Sequence, residues 1–219
     1  MSLQSELQTF QTSWRERVGD EVAALVSAAN DRLAANGLFT RVRKAGDRFP
    51  DAVLPDHTGR AVRIAERLAS GPLVISFYRG GWCPYCNLEL RAYDGALDLL
   101  RLAGGDLIAV SPERPDNVSV TIGKNDLRFP VLSDTDGRLA DALGIRFDME
   151  DEIVALYRKF GHDLPTHNGD GRWALPVPAT YVVDRDGVIA LAHIDPDYRN
   201  RLDPQEAIAV LRQLTQAAA

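Results

Sequence analysis

The sequence predicts an α/β protein in which a central mixed sheet is flanked by helices and preceded by a helical extension. Two apolar, β-branched runs at residues 73–78 and 106–111 enclose a helical segment, a spacing that is typical of a parallel β-α-β unit. Two further apolar runs within residues 180–193 are joined by an Asp-Gly turn, which indicates an antiparallel hairpin. Apolar residues at steps of three and four over residues 3–35 predict the helical extension.

Length and composition favour one domain with an appendage. The chain has 219 residues, 45% of them hydrophobic, which is enough for a full core. We expect the helical extension in residues 1–43 and the α/β domain in residues 44–219. Gly19 and Asp20 interrupt the helical period, so the extension is either two helices or one bent helix. Its apolar stripe must cover its own domain or a partner subunit, and the second case predicts a homodimer through these helices.

Charge and hydropathy argue against several classes of function. The chain has 25 basic and 31 acidic residues, a net charge of −6, and no Lys/Arg run of five, so a nucleic-acid partner is not expected. No segment approaches ~18 continuous apolar residues, the length needed to span a membrane. The N-terminus lacks the basic and apolar regions of a secretory signal. We therefore expect a cytoplasmic, reducing location, where paired cysteines are more often catalytic than structural.

The remaining elements follow in order along the chain. Turn residues around short apolar pieces predict a small hairpin at residues 46–62. The helix that begins at the cysteine motif is expected to continue to Gly104. Periodicity and turn residues further predict short helices at 64–68, 116–125, 136–143 and 150–160, a strand at 130–132, a Gly- and His-rich loop at 162–173, and a closing amphipathic helix at 204–214.

Both cysteines of the chain lie at the corner between the first long strand and its helix. Cys83 and Cys86 are separated by Pro84 and Tyr85, so the two thiols share one face of the first helical turn. The unpaired N–H groups and the dipole at a helix N-terminus favour a thiolate. In such C-x-x-C settings the thiol pKa is typically lowered to roughly 3.5–7.5. One of the two sulfurs is therefore predicted to be a nucleophile at neutral pH.

Two other roles for this pair stay open. Free cysteine is among the most buried residue types, so both thiols could be structural. A zinc site is the second alternative, since Cys83, Cys86, His162 and His167 imitate a zinc-finger ligand set. The two halves of that set lie much farther apart in the sequence than in a finger. We expect neither a cofactor nor a metal.

A β-α-β unit with a C-x-x-C pair at its corner, followed by a hairpin and a final helix, resembles the thioredoxin fold. The chain from about residue 44 onwards is also similar to the peroxiredoxin family (alkyl hydroperoxide reductase and thiol-specific antioxidant, AhpC/TSA). The resemblance rests on landmarks that match in order and spacing: GDRFP at 46–50, DHTG at 56–59, FY at 77–78, AVSP at 109–112, FPVLSD at 129–134, and VVD at 182–184 followed by Gly187. It implies a thioredoxin-like fold and a thiol-dependent peroxidase.

The chain departs from the peroxiredoxin pattern at the active-site motif. Where the family has P-x-x-x-T-x-x-C, the proline falls on Arg79, the threonine on Cys83 and the peroxidatic cysteine on Cys86. Glu89 matches the family's acidic residue three places further on. Pro178 stands where the family's peroxide-orienting arginine is expected. Two of the three peroxide-activating partners are thus absent from their family positions.

The motif itself is similar to those of thioredoxins and glutaredoxins. Trp82 opens a W-C-P-Y-C sequence, and Pro178 lies in a segment that resembles the cis-proline turn beside their disulfide. Thioredoxin-type chemistry makes Cys83, nearer the helix end and more exposed, the attacking thiolate. The peroxiredoxin position makes Cys86 the peroxide-reactive sulfur, oxidised to a sulfenic acid that Cys83 captures. Both schemes end in a Cys83–Cys86 disulfide reduced by an external dithiol, and both stay open.

The resemblance implies reduction of hydrogen peroxide or organic hydroperoxides, with a thioredoxin- or glutaredoxin-type protein as reductant. Arg79 and Arg91 flank the motif and are candidates for the missing arginine's electrostatic role. The alternatives are a dithiol-disulfide oxidoreductase without peroxidase activity and a non-enzymatic redox sensor whose N-terminal helices repack on oxidation. Asn168 and Trp173, in the Gly- and His-rich loop, are predicted to wall the pocket over Cys83.

Overall fold

The computed structural model describes residues 2–217. A five-stranded sheet lies at the centre, and two small two-stranded sheets accompany it. In chain order the helices and strands are α1 (Leu3–Ala35), a 3₁₀ turn (Leu38–Thr40), β1 (Val53–Pro55), β2 (Ala61–Arg63), α2 (Ile64–Ser70), β3 (Leu73–Phe77), α3 (Pro84–Gly95), α4 (Leu97–Leu102), β4 (Asp106–Ser111), α5 (Pro115–Asn125), β5 (Val131–Ser133), α6 (Arg138–Leu143), β6 (Arg146–Asp148), α7 (Asp151–Lys159), α8 (Leu164–Asn168), β7 (Ala174–Pro176), β8 (Ala179–Val183), β9 (Ile189–Ile194) and α9 (Pro204–Ala217).

The central sheet is mixed, with strands in the order β5-β4-β3-β8-β9. Strand β3 runs parallel to β4, and β4 runs parallel to β5, whereas β8 is antiparallel to both β3 and β9. Helices α3 and α4 connect the parallel pair β3 and β4, and β1 pairs with β2 as a separate antiparallel hairpin. The predicted mixed sheet, its β-α-β unit and both hairpins are confirmed.

Strand β3 lies in the middle of the sheet because both of its faces are covered. Side chains alternate along a strand. Val74 and Tyr78 therefore enter one hydrophobic cluster, while Leu73, Ile75 and Phe77 enter the other. All five residues of the strand are buried, as is typical of a strand with helices on both sides. The cysteine motif thus begins at the end of a fully buried strand.

Helix α1 is bent at Gly19, whose φ of +83° lies in a region that favours glycine. Leu3 and Leu7 are buried in the same cluster as the residues of α3, and Val26 is buried beyond the bend. The bent helix is therefore confirmed, and its apolar residues cover its own domain. Neither α1, with 33 residues, nor any other described helix carries an apolar stretch sufficient to cross a membrane. A domain boundary at residue 43 stays a prediction.

The structure differs from the sequence predictions in three places. The segment predicted as a loop contains α8, which ends at Gly169 in the left-handed conformation. Strands β6 and β7 form a small antiparallel sheet, and three residues each are too few to show a periodic pattern. The long helix after the motif is divided at Ala96 into α3 and α4. Short elements such as these depend on tertiary contacts more than on local periodicity.

Candidate active site

The cysteine motif lies where β3 ends and α3 begins. The backbone N–H of Tyr78 still donates to β4 (3.0 Å), and the chain then turns through two glycines. Cys83 is the N-cap residue of α3, Pro84 is the first helical residue, and Cys86 lies in the first turn. Proline suits this position because an N–H there has no helical partner. Both sulfurs are thus placed at the positive end of the helix dipole.

Both thiols are free, and both cysteines are 0% exposed. The expectation that Cys83 is the more exposed of the two is therefore wrong. The reason is that Arg79, itself only 5% exposed, lies against Cys83 and is in turn covered by Tyr157 and Tyr198. Burial of this kind removes hydration and by itself opposes ionisation of a thiol. Any thiolate here must be stabilised by neighbouring groups.

Arg79 is the direct partner of Cys83. Its Nη2 donates to Cys83 Sγ at 3.1 Å, and its Nη1 donates to the Tyr157 hydroxyl at 2.9 Å. The guanidinium stacks on Tyr198, with Cζ 3.6 Å from the ring centroid, and lies 5.4 Å from the Trp82 ring. Charge-assisted hydrogen bonds are the stronger kind, and burial increases their strength further. Arg79 is therefore fixed in position to stabilise negative charge on Cys83.

Cys86 has a different set of partners. Its Sγ accepts from the backbone N–H of Arg79 and from Nη2 of Arg201, each at 3.5 Å. Arg201 also forms a buried ion pair with Glu89. The other carboxylate oxygen of Glu89 accepts from the Thr180 hydroxyl at 3.2 Å. Each sulfur thus has its own guanidinium, and the second one is held by the acidic residue on α3.

The pKa values of the two thiols move in opposite directions. Burial opposes ionisation of Cys83, but the hydrogen bond from the Cys86 thiol and the positive charge of Arg79 outweigh it and hold the pKa of Cys83 well below that of a free thiol. Burial and the neighbouring Cys83 raise the pKa of Cys86. These two directions favour ionisation of Cys83 over ionisation of Cys86.

Aromatic side chains surround the motif. The Trp82 ring lies 5.5 Å from the Tyr157 ring, edge to face, and 5.0 Å from the His162 ring. Tyr85 is buried and makes an edge-to-face contact with Phe10 of α1, with centroids 5.0 Å apart. Such contacts stabilise a geometry beyond the area they bury. The N-terminal helix therefore takes part in covering the motif.

A mostly apolar cavity of about 120 Å³ borders Arg79. The second half of α1 contributes Val26 and Leu33 to its wall, and Tyr157 of α7 and Pro178 also line it. Among the residues that line it, Arg79 is the one cation. Asp148 and Glu150 also line it, so a small molecule in this cavity would meet mostly apolar walls with one guanidinium and two acidic residues.

Pro178 lines this cavity but does not have the predicted backbone geometry. No peptide bond in residues 2–217 is cis, so the prediction of a cis bond before Pro178 is wrong. Two residues join β7 to β8 here, and the Val177 N–H donates to the Ile145 carbonyl at 2.7 Å. The peptide bond before Pro178 is therefore trans, which is the usual form before proline.

Arg91 is not beside the cysteines. It is exposed and donates to the Asn125 side chain at 2.8 Å, while the second guanidinium of the site comes from Arg201. Sequence reasoning missed Arg201 and the two tyrosines that hold Arg79. The run Tyr-Arg-Asn-Arg at 198–201, shortly after the last strand, was the available signal, but Arg201 lies 115 residues from Cys86 along the chain.

The two loop residues predicted to wall the pocket lie elsewhere. Asn168 is fully buried and donates to the Ala174 carbonyl at 3.5 Å, and the Trp173 ring lies 5.2 Å from the Arg158 guanidinium. Neither of them lines the cavity beside Arg79. Across residues 2–217, no group of three or more His, Cys, Asp or Glu side chains is arranged to hold a metal ion.

The chain is similar to known proteins along much of its length. The AhpC/TSA family pattern matches residues 45–192, more than half of the chain. Chloroplastic peroxiredoxin Q of Sedum lineare is 25% identical over 185 residues, 84% of each chain. Peroxiredoxin Bcp of Escherichia coli K12 is 31% identical over 102 residues, 47% of this chain and 65% of the relative.

The fold is similar to that of a solved protein as well. The crystal structure of peroxidoxin BcpB from Mycobacterium tuberculosis superposes with a TM-score of 0.62 at 21% identity, covering 78% of this chain and 97% of that one. This likeness confirms the thioredoxin-like fold that the resemblance implied. Since the family pattern covers the strand, the cysteine motif and the hairpin in one continuous match, the chain belongs to the AhpC/TSA family.

Proposed function

We propose that the protein is a thiol-dependent peroxidase that works through a dithiol–disulfide cycle of Cys83 and Cys86. The observation that carries the proposal is the 3.1 Å contact between Arg79 Nη2 and Cys83 Sγ in a buried site. A buried thiol with a fixed cationic partner is an activated nucleophile. The named relatives, which are peroxiredoxins, support peroxide as the substrate.

The chemistry follows from the two thiol environments. The Cys83 thiolate attacks one peroxide oxygen and the O–O bond breaks, which leaves a sulfenic acid on Cys83. The departing hydroxide or alkoxide takes a proton from solvent to become water or an alcohol. Arg79 is placed to stabilise the charge on that leaving oxygen. Cys86 then attacks the resulting Cys83 sulfenic acid and forms the disulfide with loss of water. An external dithiol restores both thiols.

Arg201 supplies a second guanidinium, on the side of the resolving sulfur. It contacts Cys86 and is oriented by Glu89, so the departure at Pro178 does not leave the second sulfur without a cation. The proton-bearing Cys86 has the raised pKa expected of a resolving thiol. We therefore assign Cys83 as the first nucleophile and Cys86 as the resolving residue.

The proposed activity is tested by peroxide consumption. The purified protein, a thioredoxin and its NADPH-dependent reductase are mixed with hydrogen peroxide or cumene hydroperoxide, and NADPH oxidation is followed. We expect turnover that depends on both thioredoxin and the protein. The Cys83→Ser/Cys86→Ser double variant is the control for background reduction. A parent protein that consumes peroxide no faster than this variant would contradict the proposal.

A dithiol-disulfide oxidoreductase without peroxidase activity is the second candidate, and the W-C-P-Y-C sequence favours it. Such an enzyme would reduce the insulin disulfides with dithiothreitol as electron donor and would leave peroxide untouched. A redox sensor would change its oligomeric state on oxidation without turnover. The two assays, together with light scattering of the reduced and oxidised protein, separate these candidates.

The reductant, the cellular location and the oligomeric state are further parts of the proposal. The reductant is a thioredoxin- or glutaredoxin-type protein, and the location is cytoplasmic. A homodimer through α1 is proposed only for surfaces that the chain's own domain leaves free, since Leu3, Leu7 and Val26 are already buried. Light scattering of the reduced protein at several concentrations tests the dimer.

Replacing Arg79 by glutamine is expected to raise the pKa of Cys83, because the guanidinium lowers it in the parent. For each unit of increase above the assay pH, the thiolate fraction at neutral pH falls about 10-fold, and the peroxide rate falls with it. The pH dependence of Cys83 alkylation by iodoacetamide measures the shift. Arg91→Gln is the matched control, since Arg91 contacts Asn125 rather than a cysteine. If Cys83 alkylation has the same pH dependence in both variants, Arg79 does not lower the pKa of Cys83.

A further inference from the structure

Residues 195–203, the clamp loop, join β9 to α9 and carry two side chains of the site. The Tyr198 ring stacks on the Arg79 guanidinium, with Cζ 3.6 Å from the ring centroid, and Arg201 Nη2 contacts Cys86 Sγ at 3.5 Å. A hydrogen bond from Arg201 Nε to the Tyr198 carbonyl, 2.6 Å long, holds these two residues of the loop together. The position of the clamp loop therefore affects both guanidiniums of the site.

The clamp loop is held by α1 at two points. The side-chain amide of Gln4 donates to the Arg201 carbonyl at 2.6 Å, and the side-chain amide of Asn30 donates to the Asp197 carboxylate at 3.2 Å. Both α1 and the clamp loop lie outside residues 45–192, the part of the chain that matches the family pattern. These contacts are therefore a feature of this chain that the family pattern does not describe.

A straight helix could not make both contacts. A straight α1 would rise about 39 Å between Gln4 and Asn30. The chain between Asp197 and Arg201 spans at most about 14 Å, even when it is fully extended. Side chains of these lengths cannot cover the difference. The bend at Gly19 is thus what allows both halves of α1 to reach one short loop.

The bend depends on glycine at position 19. Its φ of +83° and ψ of +165° lie in a region that is essentially restricted to glycine. Apart from its neighbours in the chain, no atom of residues 2–217 lies within 4 Å of the place where a Cβ would stand. A methyl group would therefore fit the space, and it would oppose only the backbone conformation. Substitution of Gly19 thus acts on the direction of α1 rather than on the packing around it.

We propose that the bent α1 positions both guanidiniums of the site by holding the clamp loop through Gln4 and Asn30, which makes these two amides positioning residues for the thiol chemistry. Gln4 acts on the main chain of Arg201, whose side chain contacts Cys86. Asn30 acts on the residue next to Tyr198, whose ring packs on the guanidinium beside Cys83. The inference rests on the roles of the two guanidiniums in the proposed dithiol cycle.

Release of the clamp loop changes the surroundings of Cys83. Burial opposes ionisation of this thiol, but the hydrogen bond from Cys86 and the charges of Arg79 and Arg201 hold its pKa well below that of a free thiol. When the loop is loosened, the guanidiniums move away from the sulfur and water reaches it, so the pKa rises toward that of a free thiol. A loosened loop should therefore slow alkylation at low pH without lowering the maximal rate at high pH.

The test measures the pH dependence of Cys83 alkylation by iodoacetamide in the reduced protein, from about pH 4.5 to about pH 9. Mass spectrometry identifies the labelled cysteine. Gly19→Ala opposes the bend without a steric clash. The double variant Gln4→Leu/Asn30→Leu removes both amide donors and leaves the backbone at the bend unchanged. The two variants thus release the clamp loop by independent means.

Each variant has a matched control. Gly123→Ala changes an exposed glycine of α5, where an added Cβ has the same free space among the described residues. Gln8→Leu makes the same substitution as Gln4→Leu at another exposed glutamine of α1. We expect both controls to give the pH profile of the parent.

In Gly19→Ala and in the double variant, we expect the midpoint of the pH profile to rise by at least about 0.5, which lowers the alkylation rate about 3-fold below the midpoint of the parent. The maximal rate at high pH should be at least that of the parent. The loss of one hydrogen bond typically changes an equilibrium by a factor of about 2–10. Gln4→Leu and Asn30→Leu alone should therefore each shift the midpoint less than the double variant does.

The profile of the parent in folded Gly19→Ala, or in the double variant, would overturn the inference. An equal shift of the midpoint in the two controls would also overturn it. The circular dichroism spectrum and the urea midpoint show whether each variant is folded, and if Gly19→Ala is not, the double variant decides. Because alkylation needs no peroxide, a protein that fails the peroxidase assay still gives this profile, and the two proposals are tested apart.

Discussion

Replacing Cys83 by serine is expected to lower peroxide turnover by at least about 10³-fold, the scale on which the loss of a nucleophile lowers enzymatic rates. The physical reason is that Cys83 is the sulfur whose negative charge is stabilised, by Arg79 and by the Cys86 thiol. A hydroxyl in its place cannot attack a peroxide. The thioredoxin-coupled NADPH assay at saturating peroxide measures the loss.

Cys86→Ser is the matched variant, and it should lose turnover while keeping the first reaction with peroxide. Cys83 would still react once with peroxide, so the variant should consume about one equivalent and stop. A dimedone adduct on Cys83, located by mass spectrometry, is the expected trace of its sulfenic acid. If Cys83→Ser instead yields a dimedone adduct on Cys86, the peroxiredoxin alignment gives the correct order and the assignment of the two sulfurs is reversed.

Replacing Glu89 by glutamine is expected to cost about 3–5 kcal/mol of unfolding free energy, the usual price of breaking a fully buried ion pair. Glu89 and Arg201 have side chains that are 2% and 1% exposed. The substitution leaves the Arg201 charge buried beside Cys86 without its counter-charge. Urea denaturation of the reduced protein, followed by circular dichroism, measures the change.

Two controls separate charge burial from a general effect of substitution. The exposed pair Arg15–Asp20 has side chains that are 68% and 85% exposed, so Asp20→Asn should change stability by at most about 1 kcal/mol. Adding Arg201→Met to Glu89→Gln removes the unpaired charge and should recover much of the lost stability. A cost below about 1 kcal/mol for Glu89→Gln alone would show that Arg201 is not desolvated.

The sheet could be predicted from the sequence because each strand and turn is indicated by residues that are adjacent in the chain. The residues of β3 are apolar without interruption, which is typical of a strand covered on both faces, and Asp-Gly marks the turn between β8 and β9. The cysteine corner could be predicted for the same reason, since a strand, two glycines and a helix start follow one another directly. Arg79 could be identified as a candidate for the electrostatic role because it belongs to the same stretch of sequence as the two cysteines.

The surroundings of the two sulfurs could not be predicted in this way. Arg201, Tyr157 and Tyr198 come from segments far along the chain, and only the assembled sheet brings them to the motif. The burial of Cys83 depends on those same side chains, so a local pattern that suggests an exposed thiol gives the wrong result. The segment around Pro178 resembles a cis-proline turn in sequence, but its peptide bond is trans in the folded chain.

The contact between Arg79 and Cys83 also has a thermodynamic consequence for the redox couple. In the dithiol form the guanidinium faces a thiolate, whereas in the disulfide form it would face a neutral sulfur. The contact therefore lowers the free energy of the reduced state alone, which raises the midpoint reduction potential of the pair. A disulfide of this kind readily accepts electrons from a partner dithiol, so the same arginine that activates Cys83 also favours its regeneration.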